Sequence, residues 1–239
     1  PISRAATRAV VAEWNTGSTP RLRSQIETVR GMRLSTNSGS PYFTKRRNVL
    51  QNTVGTDISI IKDWVEAEMP DGQYRQCAIL GWRGQEGGHS KEDVKQRVVW
   101  MFPFGVNLCE LQVYQPGIEL AQKRGIVPAW IGNDEVDRVM TRLFDTKRAS
   151  DLVVATDFTK FDQHFNSSLQ EAAKTILAET FTTGYEMQSW LETVFPVKYM
   201  IPMCYDYNRF MFGPHGMGSG SGGTNYDETL AHRALQYEA

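Results

Sequence analysis

Three cysteines and four histidines are all that 239 residues contain, and the shortage removes two kinds of scaffold. Cys77, Cys109 and Cys204 lie far apart with no C-x-x-C pair, so neither a disulfide framework nor a zinc cluster is indicated. A reducing compartment is the expectation that follows. Absent too is any apolar run near the ~20 residues a membrane span needs, and no basic-then-apolar leader opens the chain. The expectation is a soluble, intracellular protein with no membrane segment. Net charge is almost missing as well, −1 at neutral pH, which taken whole argues against a polyanionic partner.

That average hides two unlike parts. Residues 1–150 carry 21 Lys and Arg against 16 Asp and Glu, whereas residues 151–239 carry 5 against 11. The excess is sharpest in the first fifty residues, nine basic against two acidic, among them Lys45, Arg46 and Arg47. Such asymmetry suits a surface that attracts a polyanion beside one that holds cations, and it also suits an unevenly charged solvated surface. At 41% hydrophobic and 22% charged residues, the chain can bury a sizeable core as one large domain or two small ones. It starts at Pro1 rather than Met and stops inside what reads as a helix begun near Thr224, so we expect a fragment of a longer protein.

The local pattern is mixed. Residues 37–43 have the turn chemistry of a surface loop, and 58–69 place apolar residues at helical spacing before Pro70-Asp71-Gly72. Residues 83–93 read as a glycine-rich charged loop, leading to a strand over 97–102. A helix interrupted at Pro116-Gly117 is expected over 109–125 and an amphipathic one over 133–145, with Val136, Val139, Met140 and Leu143 on one face. Then follow a strand DLVVAT, a helix from Asp162 to about Thr183, another over roughly 186–194, and strand structure with a turn over 204–212. The elements do not alternate regularly, which indicates an α+β fold.

Three stretches could carry chemistry. The run GMGSGSGGTN, ending at Asn225, fails as a Walker loop because no lysine precedes Thr224. Gly218, Gly220 and Gly223 match G-x-G-x-x-G, but Pro214-His215-Gly216 intervene where a dinucleotide fold wants a strand. What remains is a Ser/Gly loop before a helix N-terminus, which suits phosphate or ribose oxygens or only a cap by Thr224 or Asn225. In KQRVVWMFP, Lys95 and Arg97 stand on one face of a strand, placed to grip a triphosphate or simply solvated. In DLVVATDFTKFDQHF, Asp157 ends an apolar run and Asp162 follows five residues on. A carboxylate there suits Mg²⁺, while Asp162 also suits an N-cap and Asp157 a turn. Thr159 speaks against a D-x-D phosphatase.

In this order the three stretches resemble viral RNA-dependent RNA polymerases. Asp157-Phe-Thr-Lys-Phe-Asp162 matches the D-x4-D of the first palm motif, Ser219-Gly220-Ser-Gly-Gly-Thr224 the S-G-x3-T of the second, and Lys95-Gln-Arg97-Val-Val-Trp100 the basic fingers motif. The wording is most similar to picobirnaviruses, which have double-stranded RNA, with partitiviruses next; the resemblance spans about residues 91–230. It implies a right-hand polymerase fold containing the fingers and part of the palm. The division implied is fingers over 1–149, the first palm motif over 150–170, a fingers–palm connection over 171–212, and the second-motif loop and helix over 213–239.

The resemblance also implies roles. Asp157 would be the catalytic metal ligand, with the backbone carbonyl of Phe158 as an additional one, for Mg²⁺ or in its place Mn²⁺. Asp162 would recognise the ribose 2′-hydroxyl of an incoming nucleoside triphosphate. Ser219 and Gly220 would form a mobile loop following the template–product duplex, and Thr224 would help position the nucleotide. Many relatives carry asparagine where this chain has Glu228; here Asn225 is taken to pair with Asp162. Arg97 and Lys95 would hold the triphosphate, and the basic first fifty residues would line an RNA or nucleotide channel. Capsid association, and a place in the virion interior or host-cell cytoplasm, fit the same resemblance.

One family feature is missing: the 239 residues contain no Gly-Asp-Asp. The chain alone is therefore expected not to polymerise, and Gly-Asp-Asp is expected soon after Ala239 in a longer frame. Two alternatives stand beside this reading. A non-catalytic RNA-binding module would rest on the basic N-terminal part, and a dinucleotide-binding oxidoreductase on the glycine run.

Overall fold

The computed structural model describes residues 1–85 and 87–239. Helices α1 (Arg4–Trp14) and α2 (Gln25–Arg30) each begin at a serine, Ser3 and Ser24, whose hydroxyl accepts a first-turn N–H. A short α3 (Leu50–Thr53) leads into an antiparallel sheet of β1 (Asp57–Ile61), β2 (Trp64–Met69) and β3 (Gly72–Gln76). Strand β4 (Ala78–Gln85) pairs antiparallel with β5 (Lys95–Met101) and parallel with β6 (Met203–Asp206), and β7 (Arg209–Met211) completes the order β5-β4-β6-β7. The remaining helices are α4 (Phe104–Arg124), α5 (Asn133–Thr146), α6 (Ser167–Thr180), α7 (Tyr185–Thr193) and α8 (Thr224–Glu238). The architecture is α+β. Among the described residues no helix is long and apolar enough to cross a membrane.

Helices α1, α6 and α8 pack on one another, and α4 runs through the centre with Val106, Leu108, Val113 and Tyr114 buried. Pro116 does not interrupt it: the helix is continuous from Phe104 to Arg124. Proline removes one N–H and so frees the carbonyl of Gln112 four residues back. The N–H of Arg23 donates to that carbonyl at 2.8 Å, which keeps the freed acceptor satisfied. At Gly117 a side chain would meet the Tyr226 ring at 2.8 Å, so glycine lets α8 approach.

Four further expectations change. Residues 58–69 form the β1–β2 hairpin rather than a helix. The buried positions Ile58, Val65, Ala67 and Met69 follow a period of two, and Lys62, with φ of 55°, makes the turn. The loop at 37–43 is only partly a surface feature, because Ser38 and Gly39 are buried against the start of α4. DLVVAT has no regular secondary structure: no described strand pairs with it, and Leu152 is 90% and Val154 78% exposed. The helix expected from Asp162 begins at Ser167, capped by Asn166; residues 159–164 are turns, with Lys160 in the left-handed region at φ 51°. Helix α5 forms as expected, yet none of its residues is buried.

Candidate functional site

The glycine run packs against three different elements. Gly218 donates its N–H to the carbonyl of Lys198 at 3.0 Å and lies on the Phe102 ring. A Cβ at Gly220 would overlap the Trp100 carbonyl at the end of β5, and one at Gly223 would strike the Tyr114 ring. These close approaches explain why glycine recurs here better than any need for mobility. Two residues of α4 hold the loop from beneath. Asn107 donates to the Gly220 carbonyl at 3.3 Å, and Glu110 accepts from the Gly222 N–H at 3.2 Å and from the Ser221 hydroxyl. Arg46 reaches in to Asn107 at 2.8 Å, so one cation of the basic N-terminal part is internal.

Behind the loop lies a buried ionic cluster that the sequence reading missed. Lys198 and Asp227, both with fully buried side chains, are 3.0 Å apart. Asp227 also accepts from the hydroxyls of Tyr114 at 2.7 Å and Tyr199 at 2.6 Å, and Lys198 donates to the Phe195 carbonyl at 2.7 Å. Burial lowers the Lys198 ammonium and raises the Glu110 carboxyl from their ordinary ranges, each opposed by the other's charge. Burial and the charge of Asp227 raise both tyrosines well above normal. A lone lysine between Val197 and Tyr199 was the one available signal.

The D-x4-D turn and the glycine run meet through the main chain. The Asp162 carbonyl accepts the Met217 N–H at 2.8 Å, and Gly216 sits so close to that carbonyl that a Cβ would collide with it. Asp162 is half-buried, whereas Asp157 and Phe158 are exposed, and no ion pair among the described residues involves Asp157. Phe158 stacks on Phe161 and meets His232 of α8 edge-on at 5.2 Å between centroids. His232 also hydrogen-bonds Thr156 at 2.8 Å.

Helix α8 therefore presents a stripe four residues apart: Thr224, whose hydroxyl donates to the Ser221 carbonyl at 3.1 Å, then Glu228, then His232. Glu228, the middle member of this stripe, is half-buried, and burial first and then the Asp162 carboxyl push its own carboxyl up to about 9. Asn225, expected to pair with Asp162, is instead exposed on the first turn, one position round the helix from Thr224. Ser219 is half-buried at the top of the loop.

Lys95 and Arg97 are exposed near the start of β5. Arg97 stands directly opposite Arg83 of β4, and Lys95 opposite Gln85. Like charges facing each other across a ladder repel, so a shared anion would stabilise this pair. Arg83 is a third cation that the sequence reading left out. The basic strand joins the loop through Trp100, whose carbonyl abuts Gly220 and whose ring packs on His215 at 4.4 Å. Among the described residues no group of three His, Cys, Asp or Glu side chains is arranged to hold a metal ion. Asp157 can supply one carboxylate ligand, and the remainder of a Mg²⁺ shell would have to come from carbonyl, water and phosphate oxygens.

The whole chain superposes on 52% of the sicinivirus 3Dpol RNA-dependent RNA polymerase with a TM-score of 0.68 at 12% identity, a likeness of fold alone. The chain belongs to the viral RNA-dependent RNA polymerase family, whose profile matches residues 19–238. A potential RNA-dependent RNA polymerase of human picobirnavirus is 53% identical over all 239 residues, and this chain spans 45% of that protein's length. Crystal structures of the human picobirnavirus polymerase, intact and with an insertion loop deleted, superpose with a TM-score of 0.95; the chain covers 45% and 47% of theirs.

Proposed function

We propose that this chain forms the nucleotide-binding part of a template-directed RNA polymerase, which transfers nucleotidyl groups from nucleoside triphosphates to an RNA 3′-hydroxyl. The observation that supports it most is the Asp162–Met217 hydrogen bond of 2.8 Å, which ties D-x4-D to the glycine run just ahead of S-G-x3-T, across 55 residues of sequence. In the reaction the 3′-oxygen attacks the α-phosphorus, loses its proton, and pyrophosphate leaves. Asp157 and the Phe158 carbonyl are the groups of this chain suited to hold Mg²⁺, or Mn²⁺ in its place. Bound metal would stabilise charge on the attacking and leaving oxygens.

The chain's own residues orient the reactants. Arg97, Lys95 and the opposing Arg83 bind the triphosphate, and Asp162 accepts the ribose 2′-hydroxyl. Thr224 steadies the nucleotide side of the loop while Ser219 and Gly220 face the template and product strands. Arg4, Arg8, Arg21, Arg30, Arg33, Lys45 and Arg47 are exposed and suit RNA phosphates. Two metal ions need more carboxylates than Asp157 supplies, so the reading includes an inactive isolated chain whose Gly-Asp-Asp partner is elsewhere in a longer polymerase. Work inside the virion or host cytoplasm, with the capsid as neighbour, belongs to the same reading.

Asp157→Asn in the longer polymerase tests it. Nucleotide incorporation should be abolished with an unchanged far-ultraviolet circular dichroism spectrum; retained incorporation removes Asp157 from the mechanism. If RNA binding by the chain is also independent of Asp157 and Ser219 in that case, a non-catalytic RNA-binding module becomes the better account.

A further inference from the structure

Asp157 and the Phe158 carbonyl sit side by side on a segment that gives the fold little to hold. Residues 151–160 are all exposed, and no described strand pairs with them. Among the described residues, every hydrogen bond made by residues 152–158 passes through one group, the Thr156 hydroxyl. It lies 2.8 Å from His232 Nε2, and the Gln236 amide donates to it at 3.4 Å. On the far side of Asp157, the Phe158 ring meets the same imidazole edge-on at 5.2 Å and stacks on Phe161, whose ring is 6.1 Å from His232. His232 therefore holds the residue before Asp157 by a hydrogen bond and the residue after it by ring contact.

The imidazole itself stands on firm ground. His232 is half-buried on α8, whose neighbouring residues Leu230, Ala231 and Ala234 are buried, and the helix packs on α1 and α6. A side chain on a packed helix keeps its direction, whereas an exposed segment without backbone partners takes the position its anchors give it. No ion pair among the described residues orients Asp157 instead. The hydrogen bond to Thr156 is also at the surface, where water replaces a lost partner, so breaking it disturbs placement more than folding.

We infer that His232 is a positioning residue for the metal-holding pair, fixing Asp157 and the Phe158 carbonyl through Thr156 on one side and the Phe158 ring on the other. The inference rests on the metal reading of Asp157 proposed above. Mg²⁺ demands near-octahedral geometry from few protein ligands, so a loosened pair should show first as a higher metal requirement. A misplacement of about 1 Å is enough to cost on the order of a hundredfold in rate.

The experiment follows nucleotide incorporation against Mg²⁺ concentration in the polymerase carrying this segment. His232→Ala should raise the Mg²⁺ concentration for half-maximal incorporation about tenfold and lower kcat, with KM for the nucleotide at saturating metal and the urea midpoint both unchanged. His232→Gln, which keeps a hydrogen-bonding group but no ring, should recover part of the loss. Thr156→Val should reproduce part of it, and adding Thr156→Val to His232→Ala should cost nothing further, since both remove one contact. A readout free of turnover is ¹⁵N relaxation of this chain: order parameters at Asp157 and Phe158 should fall from near those of the packed helices, about 0.85, to below about 0.6 in His232→Ala. Asp157→Asn runs alongside. If it retains incorporation, the metal reading and this inference fail together. If it abolishes incorporation while His232→Ala leaves either the metal requirement or the order parameters unchanged, or while the double variant costs the sum of the singles, only the inference fails. Should His232→Ala not fold, Thr156→Val, at an exposed site, decides the matter by the same two readouts.

Discussion

The glycine run 213–223 and the irregular segment 151–158 both adjoin the turn over 159–164, yet they are held in opposite ways. The glycine run has little side-chain mass, but backbone groups of Gly218, Gly220 and Gly222 are bonded to Lys198, Asn107 and Glu110. Segment 151–158 has large apolar side chains, Leu152 and Val154, that face solvent, and beyond its first residue it is tied to the fold by Thr156, to His232 and Gln236, and by the ring contacts of Phe158. Order here follows the satisfaction of backbone groups and close packing, not hydrophobicity by itself. The glycine loop is therefore fixed in place, while the Asp157 carboxylate stands exposed on a lightly held segment.

The sharpest way to break this contrast is to remove what lies under the loop. Lys198→Met leaves Asp227 buried with two tyrosine hydroxyls and no cation, and should cost about 3–5 kcal/mol in urea unfolding. Adding Asp227→Asn to it should recover most of that, because an unpaired buried charge costs more than a neutral pair. A single-variant cost under about 1 kcal/mol would mean the cluster does not carry the loop. Next in size is Gly220→Ala. Its Cβ meets a backbone carbonyl, at Trp100, which cannot swing away as a side-chain tip would. The loop must shift, at about 1–3 kcal/mol, and discrimination among nucleotides should weaken with it. Unchanged stability would show that the loop relaxes freely, contrary to its hydrogen bonds.

How much of this could be read beforehand depended on the kind of interaction. The α5 helix, the 204–212 hairpin and strand 97–102 were legible because a single periodicity or a turn residue decided each. Residues 58–69 fit two periods at once, and only the pairing of Val65 with Ile60 and Gln76 chose the strand. DLVVAT looked like a core strand, but a strand is defined by its partner, and local pattern is silent on that. Asp157, Asp162 and Thr224 were singled out through the motif spacing on which the family resemblance rests. Glu110, Lys198 and Asp227 were not, since nothing local marks a charged residue as buried and paired across 111 or 28 residues. Choosing Asn225 followed residue chemistry, an amide, whereas the helix leaves it exposed and turns the i+4 residue, Glu228, to the same face as Thr224.

Glu228 itself sharpens the comparison at an intermediate scale. Its carboxyl is held up to about 9 in the fold, above an unfolded value near 4.5, so between these limits the native state keeps a proton that the unfolded chain has released. Stability from this group is complete below the lower value and is lost as pH rises toward the upper one. Glu228→Gln does not titrate, so its Tm should gain steadily on the unaltered protein as pH rises through that window. The slope contributed by Glu110 is common to both and cancels in the difference. Parallel Tm curves for the two proteins would place Glu228 in the ionised state throughout.

The smallest effects belong to segment 151–158. Leu152 is 90% exposed, so Leu152→Thr removes almost no buried area and should change unfolding free energy by less than about 0.5 kcal/mol. Asp157→Asn should be as quiet, since that carboxylate is exposed and has no ion pair among the described residues to lose. The pair of measurements separates two meanings of importance. If Asp157→Asn is silent in urea unfolding and silences incorporation, the residue serves a ligand rather than the fold. If Leu152→Thr instead costs more than about 1 kcal/mol, the segment is packed in solution and its light tethering is wrong.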